Sequence, residues 1–404
     1  MTIPRELAFD VAEYRQRVEH VRARMVTRGL DALVLFGPHS ITYLSGMASE
    51  SMFGIQALVV PLDRDPVLVL LMLEAGRAAN SVWLDEVETY PVAGAREHGP
   101  PPRPWDAPGQ PDLVAAVVAV LRRMGLERGR LGVEQPEGWL EVKTHAGLLA
   151  ALPDARVVDP FGVVETVRRT KSPAELAYIR RAAAFSEAGA AAGLAAVHAG
   201  ARDHEIGAAI CAAMYAAGSD LVCWGPVVAA GYRAAAPHGT WNGRRMLAGE
   251  TVFLELTGQA GRYIAPLMRT AVLGKPTGQM TRIAAAVEGA LASILATARP
   301  GVAAADVAAV ARQVLDPVLT DAYFHGNFGY PVGIGYPVAW NETLGFRLNE
   351  ENREPLEAGM VFHLPISVRK YGEFGVCLSQ TILITPEGAE PITTSPATLT
   401  VIDA

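Results

Sequence analysis

The sequence predicts an α/β domain followed by an α+β domain. Length is the first observation, because 404 residues exceed the roughly 100–200 residues that one domain usually holds. The order of the predicted elements is the second observation: strands and helices alternate up to about residue 160, whereas helix pairs and hairpins follow from about residue 165. We therefore place the two domains at 1–160 and 165–404.

Hydrophobic periodicity defines the elements of the first domain. Apolar residues recur at helical spacing over 11–28, where Gly29 ends the helix, and again over 113–124. A proline-rich loop over 100–111 precedes the second helical segment. Short apolar runs bounded by turn residues predict buried strands; these runs are 32–36, 55–61, 67–73, 130–134 and 156–159.

Capping residues open the second domain. Ser172 is placed to cap a helix that has Pro173 at its first position and Glu175 at its third. The predicted helices are 173–198, 203–218, 280–298 and 302–319. The predicted hairpins are 251–256 with 263–273 around a turn at 258–261, and 359–367 with 376–385 around a turn at 369–375. Since helices and a hairpin occur twice in the same order, the pattern predicts an internal two-fold repeat.

Charge and composition exclude several classes of function. The net charge is −7 without a basic patch, which argues against a nucleic acid or an anionic membrane as partner. The apolar runs stop short of the ~18 residues that a membrane span needs. Three widely spaced cysteines without a C-x-x-C pair argue against disulfides and structural zinc, and residues 1–10 lack a signal-peptide pattern. We expect a cytoplasmic protein.

Seven short segments resemble, in order and spacing, those of the pita-bread enzymes, which include methionine aminopeptidase, prolidase, creatinase and ectoine hydrolase. The resemblance implies a creatinase-like N-terminal domain, a pita-bread catalytic domain, and a homodimer in which the loop 47–54 is a plausible contact. The segments are 40–46 (SITYLSG), 171–175 (KSPAE), 237–239 (PHG), 249–255 (GETVFLE), 268–270 (MRT), 359–362 (GMVF) and 381–385 (TILIT).

The metal-binding positions of this family are largely replaced. Metal-dependent members hold two metal ions with two aspartates, one histidine and two glutamates, and by resemblance these positions fall on Glu255, Pro266, Tyr330, Pro365 and Ser379. Proline has no donor atom in its side chain, and a single carboxylate cannot supply the ligands that a divalent cation needs. We therefore expect neither a metal nor another cofactor.

Other segments are similar to those of the ectoine hydrolases. This resemblance implies a metal-independent hydrolase that breaks a C–N bond of a small amidine, guanidino or cyclic amide compound, with Glu255 central to the chemistry. The similar segments are 255–258, 263–270, 329–337 with Trp340, and 362–363.

Three residues are the candidate catalytic groups. Glu255 lies in an apolar strand, where loss of hydration would raise its pKa and suit it to acid–base work or to nucleophilic attack. His238, in a loop next to Gly239, could pass a proton to a leaving nitrogen. Tyr330 takes the place of a metal-ligand histidine, so its hydroxyl should face the cavity. The structural alternatives are a Glu255–arginine pair and polar groups satisfied by the fold.

Four residues are candidates for substrate binding. The planar guanidinium of Arg269 suits a substrate carboxylate, although an internal ion pair with Glu255 or Glu250 is an equal alternative. The other three are Tyr336 in a glycine- and proline-rich loop, His363, which alternates off the apolar face of the strand 359–367, and Trp340 as a wall. Tyr336 and His363 could instead be satisfied core residues.

Two further hypotheses stay open at this point. A metal-dependent X-Pro peptidase shares the family resemblance, but the replaced ligand positions argue against it. A non-catalytic pita-bread module, such as the one in a histone chaperone, would have a degraded pocket and a long acidic tail. The sequence determines neither the substrate nor whether the reaction is a hydrolysis, an elimination or an isomerisation.

Overall fold

The computed structural model describes residues 4–49, 56–91, 112–136, 139–337, 340, 342 and 345–404. The chain divides into two compact units, Met1–Arg168 and Arg169–Ala404. The predicted boundary at residue 160 lies earlier, because no pattern in the sequence predicts the short helix Val164–Arg169. The proline-rich loop 100–111 lies outside the described residues. Of the predicted dimer contact 47–54, only Met47, Ala48 and Ser49 are described.

The first unit is built on a mixed six-stranded sheet. The strands are β1 (Ala32–Leu35), β2 (Gln56–Pro61), β3 (Val67–Leu71), β4 (Val87–Tyr90), β5 (Arg130–Val133) and β6 (Arg156–Val158). Their order is β4-β3-β2-β1-β5-β6, with β2 antiparallel to both β1 and β3 and the remaining pairs parallel. The five predicted strands are present within two residues at each end.

Among the described residues, six α-helices accompany this sheet: α1 (Val11–Arg28), α2 (Pro38–Ser45), α3 (Ala75–Ser81), α4 (Leu113–Arg123), α5 (Val142–Ala151) and α6 (Val164–Arg169). The predictions for α1 and α4 are confirmed, and Gly29 takes the left-handed conformation that ends α1. The other four helices were not predicted, because they are ten residues or shorter and show little periodicity.

The second unit repeats one arrangement, in which two helices precede a long hairpin. The helices are α7 (Pro173–Ala195), α8 (Asp203–Ala216), α9 (Gly278–Thr297) and α10 (Ala304–Leu315). The strands are β7 (Val227–Ala230), β8 (Thr251–Ala260), β9 (Tyr263–Leu273), β10 (Tyr330–Pro331), β11 (Val361–Lys370), β12 (Phe374–Ile384), β13 (Ala389–Pro391) and β14 (Thr400–Ile402). They form two four-stranded sheets, β14-β9-β8-β7 and β10-β11-β12-β13, which agrees with the predicted repeat.

Helix α7 begins as the sequence predicts. The Ser172 hydroxyl accepts a hydrogen bond from the Glu175 backbone N–H, and the Glu175 carboxylate accepts one from the Ser172 N–H. The helix ends at Ala195, slightly before the expected residue 198.

The predicted turn at 258–261 is wrong, because β8 continues to Ala260 and only Gly261 and Arg262 form the turn. Both turn residues have positive φ angles, 54° and 71°, as the tightest hairpin turns require. Gly258 serves close packing instead: a Cβ atom there would lie 2.5 Å from the Phe185 Cβ and 2.6 Å from the Ala182 carbonyl oxygen of α7.

The second hairpin is also longer than predicted. Strand β11 extends to Lys370, and the turn contains only residues 371–373. Arg369, expected in the turn, therefore belongs to the strand and follows its alternation of side chains. Glu373 is exposed at the turn, and its carboxylate lies 3.3 Å from the Lys370 ammonium group.

Helix α9 is the one described helix whose length and apolar composition would suffice to cross a membrane. Its apolar face packs in the core beside α10 and the second hairpin, which is typical of a core helix. The buried residues of α9 are Met280, Ile283, Ala284, Val287, Ala290, Leu291 and Ile294.

Candidate active site

A cavity of about 610 Å³ lies in the second unit, within the size range of small-molecule sites. Strands β8, β9, β10 and β11 form part of its wall, together with the loop around residue 238. Its titratable and charged side chains are His238, Glu255, His325, Arg347 and Arg369. Its aromatic side chains, besides the histidines, are Trp224, Tyr323, Tyr330, Trp340 and Tyr371.

Glu255 lines this cavity, and its side chain is almost completely removed from solvent. Burial raises the pKa of its carboxyl group to about 7, although the positive charge of Arg369 acts in the opposite direction. Within the described part of the chain, no protein group donates a hydrogen bond to this carboxylate. A buried carboxylate without protein donors keeps its lone pairs for a ligand or for water.

Side chains of β8 alternate between the two faces of its sheet. Leu254 and Leu256 pack in one hydrophobic cluster, whereas Phe253 packs in another. Glu255 pairs with Met268 across the hairpin, and both line the cavity.

His238 lines the same cavity and packs against Trp224, with 5.4 Å between the ring centroids. Its backbone has φ = 56°, which is unusual for a residue with a side chain and recurs at functional sites. Partial burial and the charge of Arg369 lower the pKa of its imidazole, so the ring is neutral at neutral pH. The structure thus brings Glu255 and His238 to one cavity.

Tyr330 also lines the cavity, and its hydroxyl oxygen lies 2.7 Å from Nδ1 of His363. Burial and the negative charge of Glu255 raise the pKa of the phenol well above its ordinary value, so the hydroxyl keeps its proton. All three candidate catalytic residues are therefore at the cavity, while their roles stay predictions.

Arg269, a candidate for substrate binding, does not line the cavity. It pairs with Leu254 in the hairpin, so it lies on the sheet face opposite to Glu255 and Met268. Its guanidinium donates hydrogen bonds to the Ser379 carbonyl at 2.8 Å and to the Ser395 carbonyl at 2.7 Å.

The ion pairs considered for Arg269 are not formed either. Glu250 pairs with Arg244, at 2.7 Å between Nη1 and Oε2. Arg269 thus ties backbone segments together, and the prediction of substrate contact is wrong for this residue.

The other three binding candidates lie in different surroundings. Trp340 lines the cavity and contacts Trp224 edge to face, with ring centroids 5.5 Å apart. Tyr336 is buried beneath the Arg262 guanidinium, 4.5 Å from its ring centroid, and does not line the cavity. His363 is fully buried behind Tyr330, so it reaches the cavity only through that residue.

Two arginines and a histidine at the cavity were not predicted. Pro365, Ser367 and Arg369 line it at every second position of β11, so the strand alternation would have found Arg369 had the turn been placed correctly. Arg347 and His325 lie in loops, where no periodic pattern exists to reveal them. Burial and neighbouring positive charges lower the pKa of His325 to about 4.

The residues present do not fit a divalent metal centre. No group of three or more histidine, cysteine, aspartate or glutamate side chains could hold a metal ion among the residues that the structure describes. At the cavity, the Glu255 carboxylate faces Arg369, and proline occupies position 365. A divalent cation needs several oxygen, nitrogen or sulfur ligands with compensating negative charge.

Comparison with known proteins gives consistent family matches. Residues 177–386 match metallopeptidase family M24, and residues 17–170 match the creatinase/prolidase N-terminal domain. The ectoine hydrolase of Halomonas elongata is 30% identical over 97% of this chain and 98% of its own length. The Xaa-Pro dipeptidase of Pyrococcus horikoshii is 27% identical over 65% of this chain and 72% of its own length.

Solved structures share the whole fold. An Xaa-Pro dipeptidase from Bacillus anthracis has a TM-score of 0.81 at 21% identity, covering 96% of this chain and all of the other. The dipeptidase PepE from Mycobacterium ulcerans has a TM-score of 0.81 at 25% identity, and the match covers 98% of this chain and 100% of the PepE chain. The chain is therefore a hydrolase of metallopeptidase family M24, with a creatinase-like N-terminal domain followed by a catalytic domain of the pita-bread fold.

Proposed function

We propose that this protein is a metal-independent hydrolase that cleaves a C–N bond of a small amidine, guanidino or cyclic amide compound. The observation that carries the proposal is Glu255, a buried carboxylate without a protein hydrogen-bond donor among the described residues, which faces the same cavity as His238. The full-length similarity to an ectoine hydrolase supports this class of substrate.

The chemistry of the site can be written with balanced atoms. Glu255 either takes a proton from water, which adds to the amidine carbon, or adds to that carbon itself and is released by water afterwards. In both cases one water is consumed and the C–N bond breaks. The leaving nitrogen gains the proton that the water gives up, and His238, a neutral imidazole at the same cavity, relays it.

The charges of the cavity favour a substrate that also carries a carboxylate. Arg347 and Arg369 contribute two guanidinium groups, against the single carboxylate of Glu255. Arg369 is buried and donates one hydrogen bond to the Ala234 carbonyl at 3.0 Å, so its other N–H groups can serve a ligand. A planar guanidinium recognises a carboxylate through two parallel hydrogen bonds.

The aromatic side chains suit a planar cation at the other end of the substrate. Trp224 and Trp340 form adjoining walls beside His238. An amidinium or guanidinium group is attracted by the face of an indole ring. A small amino-acid-like amidine would therefore meet complementary groups at both ends.

A second candidate function, hydrolysis of X-Pro dipeptides, is favoured by the Xaa-Pro dipeptidase relatives. The members of this chemistry that the sequence resembles depend on two metal ions, and the residues at the cavity do not fit such a centre. We therefore rank it second.

One substrate panel separates the candidates. Purified protein is incubated with cyclic amidino acids such as ectoine, with guanidino acids such as creatine, and with X-Pro dipeptides, each with EDTA or with added Mn²⁺. Our proposal expects turnover of an amidine or guanidino acid that EDTA leaves unchanged. Turnover of a dipeptide only with Mn²⁺ would support the second candidate, and absence of turnover on every compound would support a binding module.

Metal independence has its own test. Elemental analysis of the purified protein should find far less than one equivalent of transition metal per chain. About two tightly bound metal ions per chain would contradict the proposal and would require ligands other than those predicted here.

We also propose that the protein is a homodimer, on the basis of the family resemblance. Light scattering on the purified protein should give about twice the chain mass of 42.9 kDa. A species of one chain mass at the concentration used for turnover would reject the dimer without affecting the assignment of Glu255.

A further inference from the structure

The side chains of Ser379, His363 and Tyr330 form a continuous chain of hydrogen bonds that ends at the cavity. Ser379 Oγ lies 2.8 Å from Nε2 of His363, and Nδ1 of His363 lies 2.7 Å from the Tyr330 hydroxyl oxygen. His363 and Ser379 are fully buried, so water does not compete for these contacts. By family resemblance, Tyr330 and Ser379 stand at former metal-ligand positions, and His363 now connects them.

The direction of these hydrogen bonds follows from an inventory of the protons. The Met268 backbone N–H donates to Ser379 Oγ at 2.6 Å, so this oxygen already accepts one hydrogen bond. The hydroxyl proton of Ser379 needs an acceptor, and Nε2 of His363 is the one that the described residues offer. Nε2 therefore accepts, and it carries no proton of its own.

Because Nε2 of His363 carries no proton, the single N–H of the imidazole must be on Nδ1. Burial, together with the charge of Arg269, lowers the pKa of His363 to about 3. The Nδ1–H group then donates to the Tyr330 oxygen, and the hydroxyl hydrogen of Tyr330 cannot point back at the imidazole. The remaining direction is the cavity, where Glu255 is close enough to affect the phenol electrostatically.

We propose that Ser379 and His363 are positioning residues that hold the Tyr330 hydroxyl as a hydrogen-bond donor aimed into the cavity. There the hydroxyl donates to the oxygen that becomes bonded to the attacked carbon, and it keeps its own proton throughout. This role rests on the proposed function, whereas the orientation of the chain of hydrogen bonds does not. A preorganised donor of this kind supplies the electrostatic stabilisation that catalysis exploits.

The orientation is tested without a substrate by NMR of protein labelled with ¹⁵N in its nine histidines. The signals of His363 are assigned as those that disappear in His363→Gln. We expect a neutral ring at pH 6 with its proton on Nδ1 and a bare, hydrogen-bonded Nε2. A neutral ring with its proton on Nε2, or a doubly protonated ring, would overturn the proposal.

Kinetics test the role once turnover is established. Ser379→Ala should lower kcat about tenfold with little change in KM, Tyr330→Phe should lower it at least as much, and the double variant should be no slower than Tyr330→Phe alone. Additive losses in the double variant would mean that the two residues act independently and would refute the connection.

Thr381→Val is the matched control, since it removes another buried hydroxyl of the same strand, one that donates to the Pro266 carbonyl at 2.8 Å. It should leave kcat near the wild-type value. If turnover depends on Glu255 while Ser379→Ala is as active as Thr381→Val, the positioning role fails alone. If no substrate is turned over, the proposed function fails while the NMR result still decides the orientation.

Discussion

Glu134 in the first unit and Glu255 in the second are both buried carboxylates, and burial raises the pKa of each to about 7. Their surroundings differ. Glu134 accepts hydrogen bonds from the backbone N–H groups of Phe36 and Gly37, at 2.8 and 2.7 Å, and from the Ser40 hydroxyl. Glu255 has no protein donor among the described residues and faces a cavity.

The comparison shows that a raised pKa alone does not identify a reactive carboxylate. Glu134 lies at the N-terminus of α2, where it satisfies N–H groups that the helix itself leaves unpaired. Both of its oxygens accept hydrogen bonds from the protein, so we interpret it as a structural group. The oxygens of Glu255 remain available, which is why we assign the chemistry to it. Four measurements test this difference.

The largest expected effect is on turnover. Glu255→Gln keeps the volume of the side chain but removes its charge and basicity, so kcat should fall by about 100-fold or more. The melting temperature should hold or rise, because a buried carboxylate without donors is unfavourable when ionised. Turnover and Tm are measured on the same preparation. A normal kcat combined with a lowered Tm would make Glu255 a structural residue like Glu134.

Glu134→Ala should have the opposite pattern. It leaves two buried N–H groups and a hydroxyl without their acceptor, so the free energy of unfolding should fall by roughly 2–4 kcal/mol. Urea denaturation measures this loss, and turnover per folded molecule should be unchanged. Glu134→Gln keeps one acceptor oxygen and should lose less. Equal stability of the alanine variant and the wild type would show that the contacts of Glu134 contribute nothing.

The pH dependence of stability sharpens the comparison. Because the pKa of Glu255 is about 7 when folded and 4.5 ordinarily, the folded state keeps a proton that the unfolded state has lost between these values. The contribution of Glu255 to the free energy of unfolding of the wild type is therefore fully present below pH 4.5 and is lost as pH rises through 7. The gain in Tm of Glu255→Gln over the wild type should be absent near pH 4.5 and complete above pH 8, where the free energy of unfolding should differ by up to about 3 kcal/mol. A gain independent of pH would contradict the raised pKa.

His238→Asn should have the smallest effect, a decrease of kcat by about tenfold, because it affects only the departure of the nitrogen. A substrate with a less basic leaving nitrogen should recover part of this loss, while it should not rescue Glu255→Gln. Steady-state kinetics with the two substrates measure the difference. Equal rescue of both variants would show that His238 and Glu255 do not have separate roles.

Local patterns were sufficient for most elements of both units. Periodicity and capping residues predicted α1, α4, α7 and both long hairpins, because these features act within one turn of a helix or one strand. Errors occurred where distant parts of the chain decide. Gly258 belongs to a strand because α7 packs against it, and no pattern around Gly258 contains that contact.

The same division holds for the site. The sequence by itself determined that Glu255 lies on an apolar strand. It also determined that the family's other metal-ligand positions hold residues unsuited to a metal, because residue type is a local property. Only the tertiary structure decided that Arg369 rather than Arg269 reaches the cavity, and that Ser379, His363 and Tyr330 form one line. The reason is physical: strand register and the packing of two hairpins set which side chains meet, and both depend on contacts between residues more than one hundred positions apart.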